Sequence, residues 1–144
     1  MTAGTILKNY VHGRWVNAEY SDTLEVLNPS TGELLAKVPL STTAEANRAI
    51  KAAAAAFPEW SQTPVARRVQ PLYKLASLLR DHEEEIARTL TAEMGKSLPD
   101  ARAELKRAYE NIEVACGMPV LQQGDKLIGS SFGIDGEVLR LPIG

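Results

Sequence analysis

A change of hydrophobic period near residue 42 constrains this chain more than any other feature. Up to that point apolar residues alternate in short runs separated by clusters of turn formers. Beyond it, and as far as residue 117, they recur at spacings of three and four. Period two marks half-buried strands, and the longer period marks amphipathic helices, because the two backbones turn their side chains at different rates. The pattern predicts an α/β chain in which β-hairpins (residues 8–40) are followed by an α-helical layer (residues 43–117). A glycine-containing loop (residues 118–136) and the beginning of a strand (residues 137–144) complete the expected order.

Two hairpins are expected in the first region. Tyr10-Val11 and Trp15-Val16 flank His12-Gly13-Arg14, which is short enough for a tight turn. Leu24 to Leu27 and Leu34 to Leu40 flank Asn28-Pro29-Ser30-Thr31-Gly32. Asparagine, proline and glycine between two apolar runs supply the local bonding and backbone freedom that a turn requires.

The helical region carries its own punctuation. Thr42 followed by Glu45 fits a capping box, in which hydroxyl and carboxylate each satisfy a free backbone N–H. Ala46, Ile50, Ala53, Phe57 and Trp60 then form one apolar stripe, which Pro58 is expected to interrupt. Thr63-Pro64 restarts the pattern as N-cap and first helical residue, followed by Val65, Val69, Leu72, Leu75 and Leu79. Ile86, Leu90 and Met94 lead to Gly95, a C-cap candidate. Ser97-Leu98-Pro99-Asp100 opens a last helix with stripe Ala101, Leu105, Ala108, Ile112 and Ala115, stopped by Gly117 and Pro119. These alanine-rich faces allow close approach of a partner element, and such a layer normally packs on something larger.

Charge excludes some classes of function. Sixteen Lys and Arg against 18 Asp and Glu give a net charge of −2, without the basic surface that nucleic acid or an anionic membrane would need. No segment has the length and apolarity of a membrane span, and Met1 to Tyr10 resembles neither a signal nor a transit peptide. One cysteine permits no internal disulfide, so a reducing cytoplasm is the expected compartment.

Chemistry-bearing residues are few. Cys116 lies near a helix C-terminus, where the dipole disfavours a thiolate, and beside an apolar stripe; it reads as structural. His12 and His82 are too far apart for a local metal motif. Gly124, Gly129, Gly133 and Gly136 fit neither a phosphate loop nor a dinucleotide fingerprint. Asp81 with Glu83-Glu84-Glu85 reads as a solvated helix start. Glu104, Arg107 and Asn111 share one edge of the last helix. Arg107 could grip a carboxylate through two parallel hydrogen bonds, or pair with Glu104 or Glu110 three residues away.

The order of segments resembles the start of the aldehyde dehydrogenase superfamily. The resemblance rests on Asn9 to Trp15, Asn28-Pro29-Ser30-Thr31-Gly32-Glu33, Val38-Pro39, Ala53 to Trp60, Arg67-Arg68 through Leu79, and Glu93-Met94-Gly95-Lys96. Asp100-Ala101-Arg102, Glu104, Arg107, Glu110-Asn111, Glu113 and Ala115-Cys116-Gly117 are similar to the methylmalonate-semialdehyde dehydrogenase branch. Gly124-Asp125, Gly133-Ile134-Asp135, Arg140, Pro142 and Gly144 continue that likeness. The chain departs from it at Gly136-Glu137-Val138-Leu139, where the family has aromatic residues.

The resemblance implies a Rossmann-like fold, present only in its N-terminal part. Residues 1–136 would belong to the NAD-binding domain, and residues 137–144 would begin an oligomerisation arm. It implies oxidation of malonate or methylmalonate semialdehyde with NAD and acyl transfer to coenzyme A in the full-length family. It also implies that Arg107 binds the substrate carboxylate. The family's catalytic cysteine, general-base glutamate, oxyanion asparagine and NAD-binding residues follow the segment present here. No catalytic, cofactor-binding or metal-binding residue is therefore assigned, and the 144-residue chain is expected to be inactive alone and to bind neither NAD nor CoA. Its expected partners are a small semialdehyde in the full-length family and further subunits, either copies or full-length chains. A succinate-semialdehyde dehydrogenase segment and a non-catalytic interaction module are the alternatives.

Overall fold

A computed structural model describes residues 4–143. Gly144, the last residue of the expected arm strand, lies outside them. Strands β1 (Thr5–Ile6), β2 (Asn9–Val11), β3 (Arg14–Val16), β4 (Tyr20–Leu27) and β5 (Leu34–Ser41) come first. Helices α1 (Thr43–Gln62), α2 (Val65–Arg68), α3 (Gln70–Asp81), α4 (Glu83–Met94), α5 (Leu98–Cys116) and α6 (Met118–Leu121) follow, and then β6 (Asp125–Ser131) and β7 (Ile134–Val138).

Both expected hairpins form. Strands β2 and β3 pair antiparallel around His12 and Gly13, whose φ values of 51° and 73° are those of a two-residue hairpin turn. Tyr10 and Trp15 face each other across it, with ring centroids 5.0 Å apart. Strands β4 and β5 pair antiparallel around the asparagine turn. There the Asn28 side chain accepts from the Ser30 N–H at 2.9 Å, and Gly32 donates to the Asn28 carbonyl at 2.8 Å with φ of 74°. Strand β5 is central, because β1 joins it in parallel at Ala36 and Lys37. That third strand was not expected from the sequence. Pro39 lies beyond the point where β1 pairs and beside the β4 bulge, so its missing N–H disrupts little of the ladder.

The helices depart from expectation in instructive places. The capping box is present: Thr42 accepts from the Glu45 N–H, and Glu45 returns the bond to the Thr42 N–H. Pro58, however, does not interrupt α1, which continues to Gln62. A proline near the C-terminal end of a 20-residue helix removes one bond from a ladder that the remaining turns hold. Thr63 is consequently the C-cap of α1, not an N-cap, and its hydroxyl donates back to the Glu59 carbonyl at 3.2 Å. Pro64 takes the cap position of α2 without any side-chain hydrogen bond. Gly95 does cap α4, in the left-handed conformation with φ of 75°, and Ser97 caps α5.

The segment expected to be loop is structured. Residues 118–121 form the short helix α6, and residues 125–138 form a third hairpin, β6–β7. The last strand therefore runs over 134–138, not 137–144. Glycine spacing had suggested a connector, but Gly129 and Gly133, at φ of 69° and 72°, serve the bulge and turn of that hairpin.

Helix α5 packs against both α3 and α4. Its centre is a small cluster of Ala87, Ala101 and Leu105, flanked by Ile86, Leu90 and Leu98. Both alanines are fully buried, so the α4 and α5 backbones approach closely there. Other stripes are only partly used. Phe57 is half-buried, whereas Ile50 is 65% exposed and Trp60 45%. Leu75 and Ala108 also face outward.

The accessible surface is 10796 Å². A compact monomer of 15.7 kDa would expose about 7300 Å² by the usual scaling of surface with mass. Much of the excess is apolar, including Val114 at 68%, Leu141 at 72% and Ile143 at 97% exposure. The helical layer and the segment after Gly136 thus both carry uncovered apolar surface.

Candidate functional site

Helix α5 carries the candidate site on the side away from its buried residues. Ala101, Leu105 and Cys116 point into the layer, whereas Arg107, two residues beyond Leu105, is exposed. Residues three or four apart share a helix face, so Glu104, Arg107 and Asn111 remain neighbours on this edge. The competing ion pairs do not form. Glu104 is taken by Lys96 from the turn before α5, and Glu110 lies 3.9 Å from Lys106. Arg107 has no ion pair among the described residues. Its five N–H donors and the Asn111 amide one turn further on can meet a carboxylate edge-on.

The rest of α5 is committed to structure. Glu113 pairs with Arg80, whose guanidinium lies 4.7 Å from the centre of the Tyr109 ring. Arg102 reaches Glu84 on α4 with both Nε and Nη2, at 3.0 and 2.7 Å. The Arg102 hydrogen bond holds the Glu84 carboxyl below its ordinary value of 4.5 against the opposing effect of desolvation, and the charges of Arg102 and Arg88 add to it. A carboxyl depressed in the folded state contributes stability above the unfolded pKa and loses it as pH falls through the folded one. The α4–α5 bridge is therefore expected to weaken below about pH 4.5. In an NMR titration, Arg102→Met should return the Glu84 carboxyl upward; an unchanged titration would contradict this assignment.

Cys116 is free and buried at 4% exposure, as a structural cysteine would be. The acidic run from Glu83 to Glu85 occupies the first turn of α4, where negative charge complements the helix dipole. His82 lies 3.3 Å from Glu85, and His12 sits in the β2–β3 turn. Among the described residues no group of His, Cys, Asp or Glu could hold a metal ion. The four glycines form no dinucleotide loop either. Gly124, Gly129, Gly133 and Gly136 lie in or beside an antiparallel hairpin and not at a strand-to-helix turn, so they present no helix N-terminus to a pyrophosphate.

Two features went unread in the sequence. Glu45, 8% exposed, accepts from the Glu19 N–H at 2.9 Å and so ties the start of β4 to the N-terminus of α1, with Arg48 bonded to Glu19 beside it. Gln122 joins α2 to the chain leaving β7. The capping-box spacing marks Glu45 for Thr42 but not for Glu19, 26 positions away, and no spacing marks Gln122, whose partners are 54 and 18 positions away.

The aldehyde dehydrogenase family model matches residues 15–144, which is nearly the entire chain. This chain belongs to the aldehyde dehydrogenase family. Among its relatives, malonate-semialdehyde dehydrogenase of Bacillus pumilus is 45% identical over 139 residues, covering 96% of this chain and 29% of that protein. Malonate-semialdehyde dehydrogenase 1 of Geobacillus thermodenitrificans is 46% identical and covers all of this chain and 30% of its own length. Among solved structures, methylmalonate-semialdehyde dehydrogenase of Oceanimonas doudoroffii superposes with a TM-score of 0.85 at 37% identity, covering 92% of this chain and 27% of that one. A Sinorhizobium meliloti 1021 protein, assigned as a methylmalonate-semialdehyde dehydrogenase and complexed with NAD, gives 0.90 at 32% identity over all of this chain and 29% of that one. The chain thus spans under a third of the length of these relatives. The α/β architecture is that of the corresponding part of the aldehyde dehydrogenase fold. Among the described residues no helix is long and apolar enough to cross a membrane.

Proposed function

We propose that this chain supplies the N-terminal part of an NAD-dependent, CoA-acylating (methyl)malonate-semialdehyde dehydrogenase, in which Arg107 binds the carboxylate of the semialdehyde. The observation that carries the reading is the likeness to malonate-semialdehyde dehydrogenases along 96% of the chain or more. That Arg107 has no ion pair among the described residues supports the residue assignment. A carboxylate at one end of a short aldehyde needs a fixed cation, and a guanidinium holds it in one orientation through two bonds. In this reading residues 1–136 belong to the cofactor domain, and residues 137–144 begin the oligomerisation arm. The exposed apolar surface favours association with further subunits, either copies of the chain or full-length ones.

A chimaera tests this. The matching 29% of the Bacillus pumilus relative is replaced by this chain, and NADH formation is followed with malonate semialdehyde and CoA. The chimaera is expected to turn over, whereas the isolated chain is expected to form no NADH above a mock preparation. Arg107→Gln in the chimaera should raise KM for malonate semialdehyde by roughly 10- to 100-fold, the loss of about 1.5–3 kcal/mol of charged hydrogen bonding. It should leave propanal, which has no carboxylate, nearly unaffected. An equal effect on both aldehydes would remove Arg107 from the substrate site, and preference for succinate semialdehyde would move the chain to that branch.

A further inference from the structure

The β6–β7 hairpin is exposed along most of both strands, so little packing fixes its direction. A two-stranded ribbon without a covered face has small stability of its own. Its base, in contrast, is tightly defined. A side chain on Gly124 would place its Cβ 2.0 Å from the Val138 carbonyl oxygen, so the incoming and outgoing strands meet there backbone to backbone. Immediately before this point stands Gln122, the C-cap of α6, half-buried and bonded in two directions. Its Oε1 accepts from Arg68 Nη2 at 3.1 Å, and its Nε2 donates to the main-chain oxygen of Arg140 at 3.2 Å. Arg140 in turn donates from Nη2 to Asp125 Oδ2 at 3.2 Å across the base of the hairpin.

We propose that Gln122 is a positioning residue, a two-way clasp that fixes the direction of the β6–β7 hairpin on the helical layer. The chemistry selects glutamine. The clasp needs an acceptor toward Arg68 and a donor toward a carbonyl on one planar group, and a side-chain amide supplies both. Glutamate would accept from Arg68 more strongly but could not donate to the Arg140 carbonyl. On the Arg68 side, Nε is buried and finds no acceptor among the described residues, so Gln122 is the group that holds this guanidinium. Arg68 lies at the end of α2, and the carbonyl that receives Nε2 lies two residues past β7, so the clasp links the helical layer directly to the chain leaving the hairpin. The inference goes beyond the function proposed above and does not depend on it. Its test uses the isolated chain and requires neither assembly nor catalysis.

Spin labels are placed at Lys74→Cys on α3 and Ser131→Cys at the hairpin tip, in a Cys116→Ala background, and their separation is measured by pulsed electron resonance. The background protein should give a single narrow distance distribution. Gln122→Ala and Gln122→Glu should both lose it and give a broad one, with the far-UV thermal transition of the helices retained. If Gln122→Ala fails to fold, Gln122→Glu decides, since it keeps the bond to Arg68. A narrow distribution in Gln122→Glu, or a broad one in the background protein, overturns the proposal.

Discussion

Gly95→Ala is expected to lower the stability of this chain by about 2–5 kcal/mol, read as a drop in the thermal midpoint. Two costs act together. Gly95 has φ of 75°, and an L-residue held there loses about 1–2 kcal/mol to contact between its Cβ and the backbone. The added Cβ would also lie 2.8 Å from Pro29 Cγ, an atom of a rigid ring in the turn between β4 and β5. Overpacking of this kind costs about 1–3 kcal/mol. The steric part can be separated by repeating the substitution in a Pro29→Ala background, where the loss should shrink toward the conformational cost alone. Equal losses with and without Pro29 would show that the turn does not press on the end of α4.

Leu105→Ala is expected to cost about 3 kcal/mol, measured as a lower urea midpoint at unchanged slope. Truncation of a buried leucine removes transfer free energy and leaves a cavity, with observed losses of about 2–5 kcal/mol. Leu105 is 7% exposed and is the one large side chain in a cluster whose other buried members are Ala87 and Ala101. Those alanines have no side-chain length with which to fill the gap, so little relaxation can offset the loss. Leu105→Met, nearly equal in volume, should cost less than about 1.5 kcal/mol. Similar midpoints for the two variants would mean that α5 is not anchored at this point.

Both effects begin in features that can be read without coordinates, but to different depths. The Asn28 to Gly32 turn and the Gly95 cap each follow from local chemistry: side-chain bonding by asparagine, and the absence of a Cβ penalty in glycine. Their mutual contact, Pro29 against Gly95, follows from neither, since it joins residues on two elements brought together by the fold. The stripe of α5 likewise named Ala101 and Leu105 correctly, but it also named Ala108, which is exposed. Periodicity gives the face a helix can bury; it does not say where along that face a partner ends. The same limit explains α1, whose regular stripe leaves Ile50 and Trp60 largely in solvent.

The candidate site shows the complementary limit. The edge Glu104, Arg107 and Asn111 is visible as helical spacing, which by itself favours an ion pair for Arg107; only the family resemblance points it to a substrate carboxylate. In the structure Lys96, from outside the helix, pairs with Glu104. The β6–β7 hairpin was missed for a related reason. Its glycines and serines weaken the alternating signal, and antiparallel pairing restores regular structure that local propensity does not announce.

The sequence by itself determined the order of hairpins and helices, most caps and turns, and a family resemblance that the comparisons uphold, because each depends on neighbours within a few positions. The tertiary structure alone decided the parallel pairing of β1, the bond between Glu45 and Glu19, the partners of Gln122 and the extent of uncovered apolar surface. Those features depend on contacts between distant residues, whose free energy is set by geometry that no local pattern encodes.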